Sequence, residues 1–434
     1  MTSHPNQIPS QILSHFSFYV NWFYIVANAR TINFESVGIH VKIITSRVFS
    51  MLLLVILISS IGASSDTGGL GKATGTNGTT LTPSPVIRVN GETELSSLIS
   101  MNQWNGTGTA DSPYIMENLS IDAQGVTSAV SISNTTSHLI IRNCLFYGVY
   151  SDFYGNGGEV ILDNVTSASL ENNILVSANG AAISLRSSSR DQVTYNSCQG
   201  QNLSTGIVLF HSSNNTISNN DCSNNSEGIL LIDSCFQNVL SHNDASKCSF
   251  RSILLWGGSG NIIIDNNCSY SGDDFRSDRL EVSDSNNNVI AYNDCTGAGG
   301  YFSTGIHLYN SSENTLSANI CNSVAVGIWG EATLHSNIIT NNRCLGDRIG
   351  IGLDSGDGNI IMNNNCTGSR EWGIGVQTNN NQISGNAGTV MIYNPSNFDY
   401  VSLIVTIFVL LIGVILVYWR VHKKKRPKDR EGTR

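Results

Sequence analysis

Charge is scarce in this chain: only 13% of its 434 residues are Asp, Glu, Lys or Arg. Between Asp66 and Asp399 there are 12 basic against 29 acidic residues, or 12 − 29 = −17, and just two of the basic ones, Lys72 and Lys247, are lysines. So acidic a body excludes nucleic acid as a partner. Proline is rare as well, with 7 residues, while 40% of the chain is apolar, which is far from the composition of disorder and suits one long domain. Ten cysteines contain no Cys-x-x-Cys pair, so the usual spacing of structural zinc is missing. Before Val401 no uncharged apolar run is long enough to cross a bilayer.

What the chain has in abundance is Asn, Ser and Gly in a recurring block. The stretch Asn215 to Cys222, Asn-Thr-Ile-Ser-Asn-Asn-Asp-Cys, returns with its first residue at His138, Ser167, Asp191, Asn238, Asn261, Asn288, Asn314, Asn337, Asn359 and Asn381. The sixth position is Asn each time, from Asn143 and Asn172 through Asn196 and Asn220 to Asn386. The third position is apolar with the exception of Ser169, and the eighth runs Leu145, Ile174, Cys198, Cys222, Ala245, Cys268, Cys295, Cys321, Cys344, Cys366, Gly388. A second block, as in Gly206-Ile-Val-Leu or Gly350-Ile-Gly-Leu, precedes the first. A period in the low twenties without Leu ladders or helical half-repeats implies an all-β solenoid, one coil per repeat. The sixth-position Asn is expected at a sharp left-handed corner, its amides stacked at about 4.8 Å along the column.

These units, with the lead-in Trp104 to Asp122, resemble the NosD-like group of right-handed parallel β-helix proteins, which share repeats with the carbohydrate-binding and sugar-hydrolysing domains of microbial surfaces. The resemblance covers about residues 86 to 393. It implies an all-β, right-handed parallel β-helix of about eleven coils. Function does not follow from it, because the repeat encodes architecture.

Around the solenoid the sequence predicts several flanking segments. Residues 1 to 45 show no repeat and read as an extension or an over-long translation start. Lys42 and Arg47, the uncharged run Val48 to Ile61 and Gly62-Ala-Ser-Ser form a signal-peptide pattern within 46 to 65. Residues 66 to 85 read as a flexible linker, and Glu92 to Met101 as a short helix capping the first coil. After a spacer at 394 to 400, Val401 to Trp419 is long enough to span a membrane once, and the basic tail 420 to 434 places the C-terminus in the cytoplasm. The expected location is therefore the cell membrane, with the solenoid outside.

Seven cysteines in the eighth column are expected as buried thiols, while Cys235 and Cys248, off the column, are the better candidates for a bridge. Eleven Asn-x-Ser/Thr sequons fit an exported surface. Two adjacent coils carry insertions, Gly272-Asp-Asp-Phe-Arg-Ser-Asp-Arg and Gly297-Ala-Gly-Gly-Tyr-Phe-Ser, and loops on a rigid scaffold are where sites form. Outward rings beside acidic groups suit a sugar-binding groove, and the ligand-binding candidates are Trp256, Asp273, Asp274, Asp278, Tyr301, Phe302, His307 and Tyr309, with Phe210 and Trp329 on the same strand faces. The expected partners are extracellular glycans or neighbouring envelope proteins, and the expected role is non-catalytic.

Two alternatives stand beside it. A polysaccharide lyase or hydrolase would use Asp273, Asp274 and Arg276, although the Gly-His-Gly and Asn-Thr-Asp signatures of pectin hydrolases are missing. The NosD likeness suggests copper delivery, but His138, His211, His242, His307 and His335 fall at five different repeat positions. No cofactor is expected. Calcium on the Asp cluster would lack a spaced loop motif.

Overall fold

The computed structural model describes residues 80–149, 157–177, 180–200, 204–270, 278–298, 303–377 and 380–392. Within them the chain winds into a right-handed parallel β-solenoid with three sheets of 13, 12 and 5 strands, each strand pairing with its counterpart one coil on. The long sheet collects six-residue strands such as Thr205–Phe210, Glu227–Ile232 and Arg251–Trp256. The second collects three-residue strands such as Thr216–Ser218 and Val239–Ser241. Strands recur because Ile, Val, Leu and Thr alternate with polar residues over three to six positions and then meet Asn, Ser or Gly.

Each coil buries a fixed set of apolar side chains. In the coil from Asn215 to Ile232 these are Ile217, Cys222, Ile229 and Leu231, all at 0% exposure, and the set repeats as Ile290, Cys295, Ile306 and Leu308. A fully buried Ile or Leu contributes roughly 1.5–3 kcal/mol, so each coil is held chiefly by its neighbours above and below. The thiol column stands against the glycine of the long strand: a Cβ on Gly206 would lie 2.5 Å from the Gly228 carbonyl oxygen and 2.7 Å from Cys222 Cβ. Where Gly330 leaves an inward gap, the Leu334 side chain fills it.

Two rows of buried amides bracket the short strands from Thr216–Ser218 to Ile360–Met362. In the sixth position, Asn266 donates from its backbone N and its Nδ2 to Asn293 Oδ1, both at 3.0 Å, while Asn293 Nδ2 donates to the Ile263 carbonyl at 2.9 Å and to Asn319 Oδ1 at 3.1 Å. The first position forms a second ladder, as where Asn261 N donates to Asn288 Oδ1 and Asn288 N to Asn314 Oδ1, each at 2.9 Å. A third column of Ser188, Ser212, Ser285 and Ser311 caps backbone N–H groups in the same manner.

The structure corrects the corner. The left-handed residue is the fifth of the block, not the sixth: Tyr195, Asn219, His242, Asp265, Tyr292, Ala318, Asn341 and Asn363 have φ between 54° and 57°. The sixth Asn instead turns inward to make the ladder. In the first two coils the block is shifted by one residue, since Leu170 pairs with Val193 and Ile141 with Leu170. Ladder and core positions there are therefore Cys144 and Asn173, and Phe146 and Leu175, while Asn143 and Asn172 take the corner with φ 55° and 54°. Ser169 ceases to be an exception, because a slip of one residue exchanges the faces.

The expected Cys235–Cys248 bridge is not formed: all ten cysteines are free and buried. Cys235 sits in the serine column, its thiol 3.5 Å from the Leu209 carbonyl oxygen and 3.4 Å from that of Ile232. At the start, Thr82–Ser84, assigned to the linker by sequence, is a strand paired with Leu119–Ile121. Helix Glu92–Met101 buries Leu95 and Ile99, and Glu92 accepts hydrogen bonds from Thr135, Thr136 and Ser137 of the first coils. The signal segment and the apolar run 401–419 lie outside the described residues, among which no helix is long and apolar enough to cross a membrane.

Candidate functional site

The outer face of the long sheet presents three columns of side chains, because inward and outward residues alternate along each strand. Their register is fixed by the pairing of Glu227–Ile232, Arg251–Trp256, Asp278–Ser283, Thr304–Tyr309 and Val326–Glu331. One column reads Glu227, Arg251, Asp278, the next Leu230, Leu254, Glu281, His307, Trp329, and the third Ile232, Trp256, Ser283, Tyr309, Glu331.

Charged groups from all five strands meet in a ladder. Arg251 Nε lies 2.6 Å from Glu281 Oε2, and its Nη1 3.5 Å from Glu227 Oε1. His307 bridges two further strands, with Nδ1 3.0 Å from Asp278 Oδ2 and Nε2 3.4 Å from Glu331 Oε1. Burial opposes the charge on His307, but the hydrogen bonds to Asp278 and Glu331 outweigh it and push the imidazole up to about 10. His307 in turn holds Glu331 below the ordinary carboxylate range, whereas burial raises Glu227. With Arg251 and His307 positive against Glu227, Asp278, Glu281 and Glu331, the ladder carries 2 − 4 = −2 when all six are ionised.

Two exposed rings stand over this ladder. Trp256 is 45% and Tyr309 43% exposed, and they are two strands apart in the same column with the small Ser283 between them. At about 4.8 Å per strand the rings are roughly 10 Å apart. Trp256 Nε1 donates to Asp284 Oδ2 at 3.2 Å, which fixes the indole edge. Apolar surface continues on both sides: Val208, Leu230 and Leu254 with Phe210 before the ladder, and Val326 and Ile349 with Trp329 and Trp372 after it. A separate cavity of about 310 Å³ lies at the capped end of the same sheet, beside Arg88, Asn90, Glu94 and Asp163.

Of the residues singled out by sequence, Trp256, Asp278, His307 and Tyr309 share this face. Asp273, Asp274, Arg276, Tyr301 and Phe302 lie outside the described residues. Sequence reasoning missed Glu227, Arg251, Glu281 and Glu331. Successive members are 24, 30 and 50 residues apart in the chain, and only the exact register of the long strands, with Gly206, Gly228 and Gly305 as markers, brings them into one cluster.

The described part of the chain matches one family, described as periplasmic copper-binding protein (NosD), over residues 137–295 and 272–390. The chain belongs to the NosD family. No curated protein matches it. Among solved structures it is similar to the Azotobacter vinelandii mannuronan C-5 epimerase AlgE6 A-module (13% identity, 65% of this chain and 86% of that one, TM-score 0.43). It is also similar to the periplasmic alginate epimerase AlgG (11%, 72% and 85%, TM-score 0.47) and to the Dettilon tailspike protein gp208 (14%, 69% and 62%, TM-score 0.45). These likenesses are distant, and nothing about the chemistry of this NosD-family chain follows from them.

The family's description raises copper, and the donor set here does not suit it. The thiols of Cys268, Cys295, Cys321, Cys344 and Cys366 stack in a single internal row, each hydrogen-bonded to the next and sealed from solvent. The neighbouring thiol and burial push Cys268 up, burial and the neighbouring thiols push Cys321 up, and the same thiol–thiol hydrogen bonds lower Cys295 and Cys344. The thiols thus serve one another as partners inside the core, with no side of the row open to an incoming ion. Among the described residues no group of three or more His, Cys, Asp and Glu side chains is arranged to hold a metal ion.

Proposed function

We propose that this NosD-family protein is a membrane-anchored surface receptor for glycans, which it binds without cleaving them on the outer face between Glu227 and Glu331. The observation that carries the reading is the pair of exposed rings, Trp256 and Tyr309, set on a rigid sheet over a row of carboxylates. Ring faces take the apolar faces of pyranose units, carboxylates take hydroxyls, and a ring spacing of roughly 10 Å is on the order of two sugar units. A ladder of −2 on a body of −17 favours neutral or amino sugars and repels polyuronates.

The alternative is hydrolysis or elimination, supported by a histidine with a carboxylate on either side. An imidazole held at about 10 stays protonated at neutral pH, far from the value near 7 that an acid–base catalyst needs. Copper delivery is disfavoured by the sealed, linear thiol row. Anchoring rests on the uncharged run Val401 to Trp419 and the basic tail after it.

The test is a glycan array with the detergent-solubilised full chain, followed by incubation with each hit. Binding to neutral or amino-sugar oligomers with no cleavage products, abolished in Trp256→Ala/Tyr309→Ala, is the expected outcome. Released products would make the protein an enzyme, and binding undiminished in the double variant would move the site elsewhere.

A further inference from the structure

The outer face of the 12-stranded sheet is a surface of a different kind. Across nine consecutive strands, from Gln192–Thr194 to Gln382–Ser384, the outward residues carry no charge at all. They include Val239, Ile262, Ile264, Val289, Ile338, Ile360 and Met362, with Ile262 and Val289 38% and Ile338 37% exposed. The bordering columns extend it. On one side the left-handed residues run Arg190, Asn214, Gln237, Gly260, Asn287, Glu313, Ser336 and Gly358, and on the other Tyr195 to Asn363. Counting four columns on nine strands, or 4 × 9 = 36 positions, only Arg190, Asp265 and Glu313 are formally charged. Of the eleven sequons, Asn214 alone falls on this face.

We infer that this face is the contact between two copies of the chain, packed sheet to sheet. Three observations favour a second copy over any other occupant. First, it is the surface on which two bodies of −17 can approach with little repulsion. Second, the face is about 17 Å across and about 38 Å long at 3.3 Å per residue and 4.8 Å per strand, so pairing would bury on the order of 1,300 Å² in total. That falls within the range of specific interfaces. Third, two copies share one pitch, so the ridges of one enter the grooves of the other along the whole length, which an unrelated partner would match only by coincidence.

A two-fold axis along the solenoid sets equal rungs opposite each other and crosses the columns. Ile262 then meets Ile264 of the second copy, and Ile360 meets Met362. Glu313 meets Ala318 and Asp265 meets Gly260, so no like charges face one another. This parallel orientation, though not the pairing itself, rests on the anchoring proposed above, which puts both C-termini on one side.

The test uses the full chain in detergent micelles. Mass photometry of the unmodified protein is expected to show a dimer, and Val289→Asp/Ile338→Asp a monomer with an unchanged melting curve. Ile262→Cys treated with a short bismaleimide is expected to give a covalent dimer, while Phe250→Cys, equally exposed but off this face, gives none. The ten native thiols are buried and stay silent. A monomeric parent, or cross-linking at Phe250→Cys as strong as at Ile262→Cys, overturns the inference. Failure of the glycan array leaves these readouts untouched, so the two proposals stand or fall separately.

Discussion

Removing one amide from the sixth-position ladder gives the sharpest check on what holds the coils together. Asn293→Ala deletes an acceptor used twice by Asn266, at 3.0 Å each, and a donor used by the Ile263 and Asn319 oxygens at 2.9 and 3.1 Å. Asn293 is at 0% exposure, so water does not replace these bonds without opening the coil. Asn266 Nδ2 keeps two other acceptors, Leu240 and Ile264 oxygens, which limits the damage on that side. The Asn266 backbone N–H is the group left stranded, since the Ile263 carbonyl stays within the pairing of its strand with Val289–Ala291. At about 1–3 kcal/mol for a stranded group and about 0.5–1.5 kcal/mol for another bond lost, the expected loss is roughly 2–4 kcal/mol. Urea denaturation of the full chain in detergent, followed by tryptophan fluorescence, measures it. Asn341→Ala, one coil-corner away from the ladder and exposed, is the control and should cost about 1 kcal/mol for placing Ala in a left-handed conformation. If Asn293→Ala cost no more than Asn341→Ala, the amide rows would be ornamental and the core alone would hold the solenoid.

Further outcomes follow from the same geometry. Ala318 has φ 56°, so Ala318→Gly should stabilise the protein by about 1 kcal/mol, read as a higher urea midpoint. His307 is raised to about 10, so its contribution is full below about 6.5 and is lost as pH rises towards 10. The parent should therefore lose stability between pH 7 and 10 in a way that His307→Gln does not. Asp347 is pushed up to about 8 by burial, with one oxygen accepting from Val324 N, so the folded state holds a proton that the unfolded chain releases near 4. Stability falls as pH climbs from about 4 to 8, and Asp347→Asn should flatten that slope in thermal melts. Trp256→Ala and Tyr309→Ala should each weaken glycan binding about tenfold by titration calorimetry, the equivalent of about 1.4 kcal/mol of ring contact.

Much of the fold was legible because its rules are local. The Asn block, the apolar third residue and the Gly-Ile strand recur at intervals short enough to see, and the capping helix at Glu92–Met101 announces itself by Leu95 and Ile99. The one-residue slip in the first two coils was not legible. Asn172 and Asn173 are adjacent and identical, and the sequence does not say which turns inward; only the strand partner of Leu170 decides it. The same ambiguity placed the corner at the sixth residue, since Tyr195, Ala318 and Tyr292 are poor advertisements for a left-handed backbone. Half of the candidate site could be found, as Trp256, His307 and Tyr309 end or interrupt apolar strands. Its ionic partners could not, because Glu227, Arg251, Glu281 and Glu331 look like ordinary surface charges until five strands are set side by side.

The amide rows also have a direction. Each ladder Asn donates from its backbone N–H and from Nδ2 to the amide oxygen of the coil that follows, and from Nδ2 also to a carbonyl of the coil before, so the amide-to-amide bonds all point in one sense along the shaft. Within the uninterrupted ladder a coil is thus interchangeable with its neighbours at both of its surfaces, and insertion or loss of a whole repeat there leaves no mismatched group. Length becomes an adjustable quantity, changing by about 4.8 Å for each repeat gained or lost, while the aromatic pair keeps its own coils unchanged.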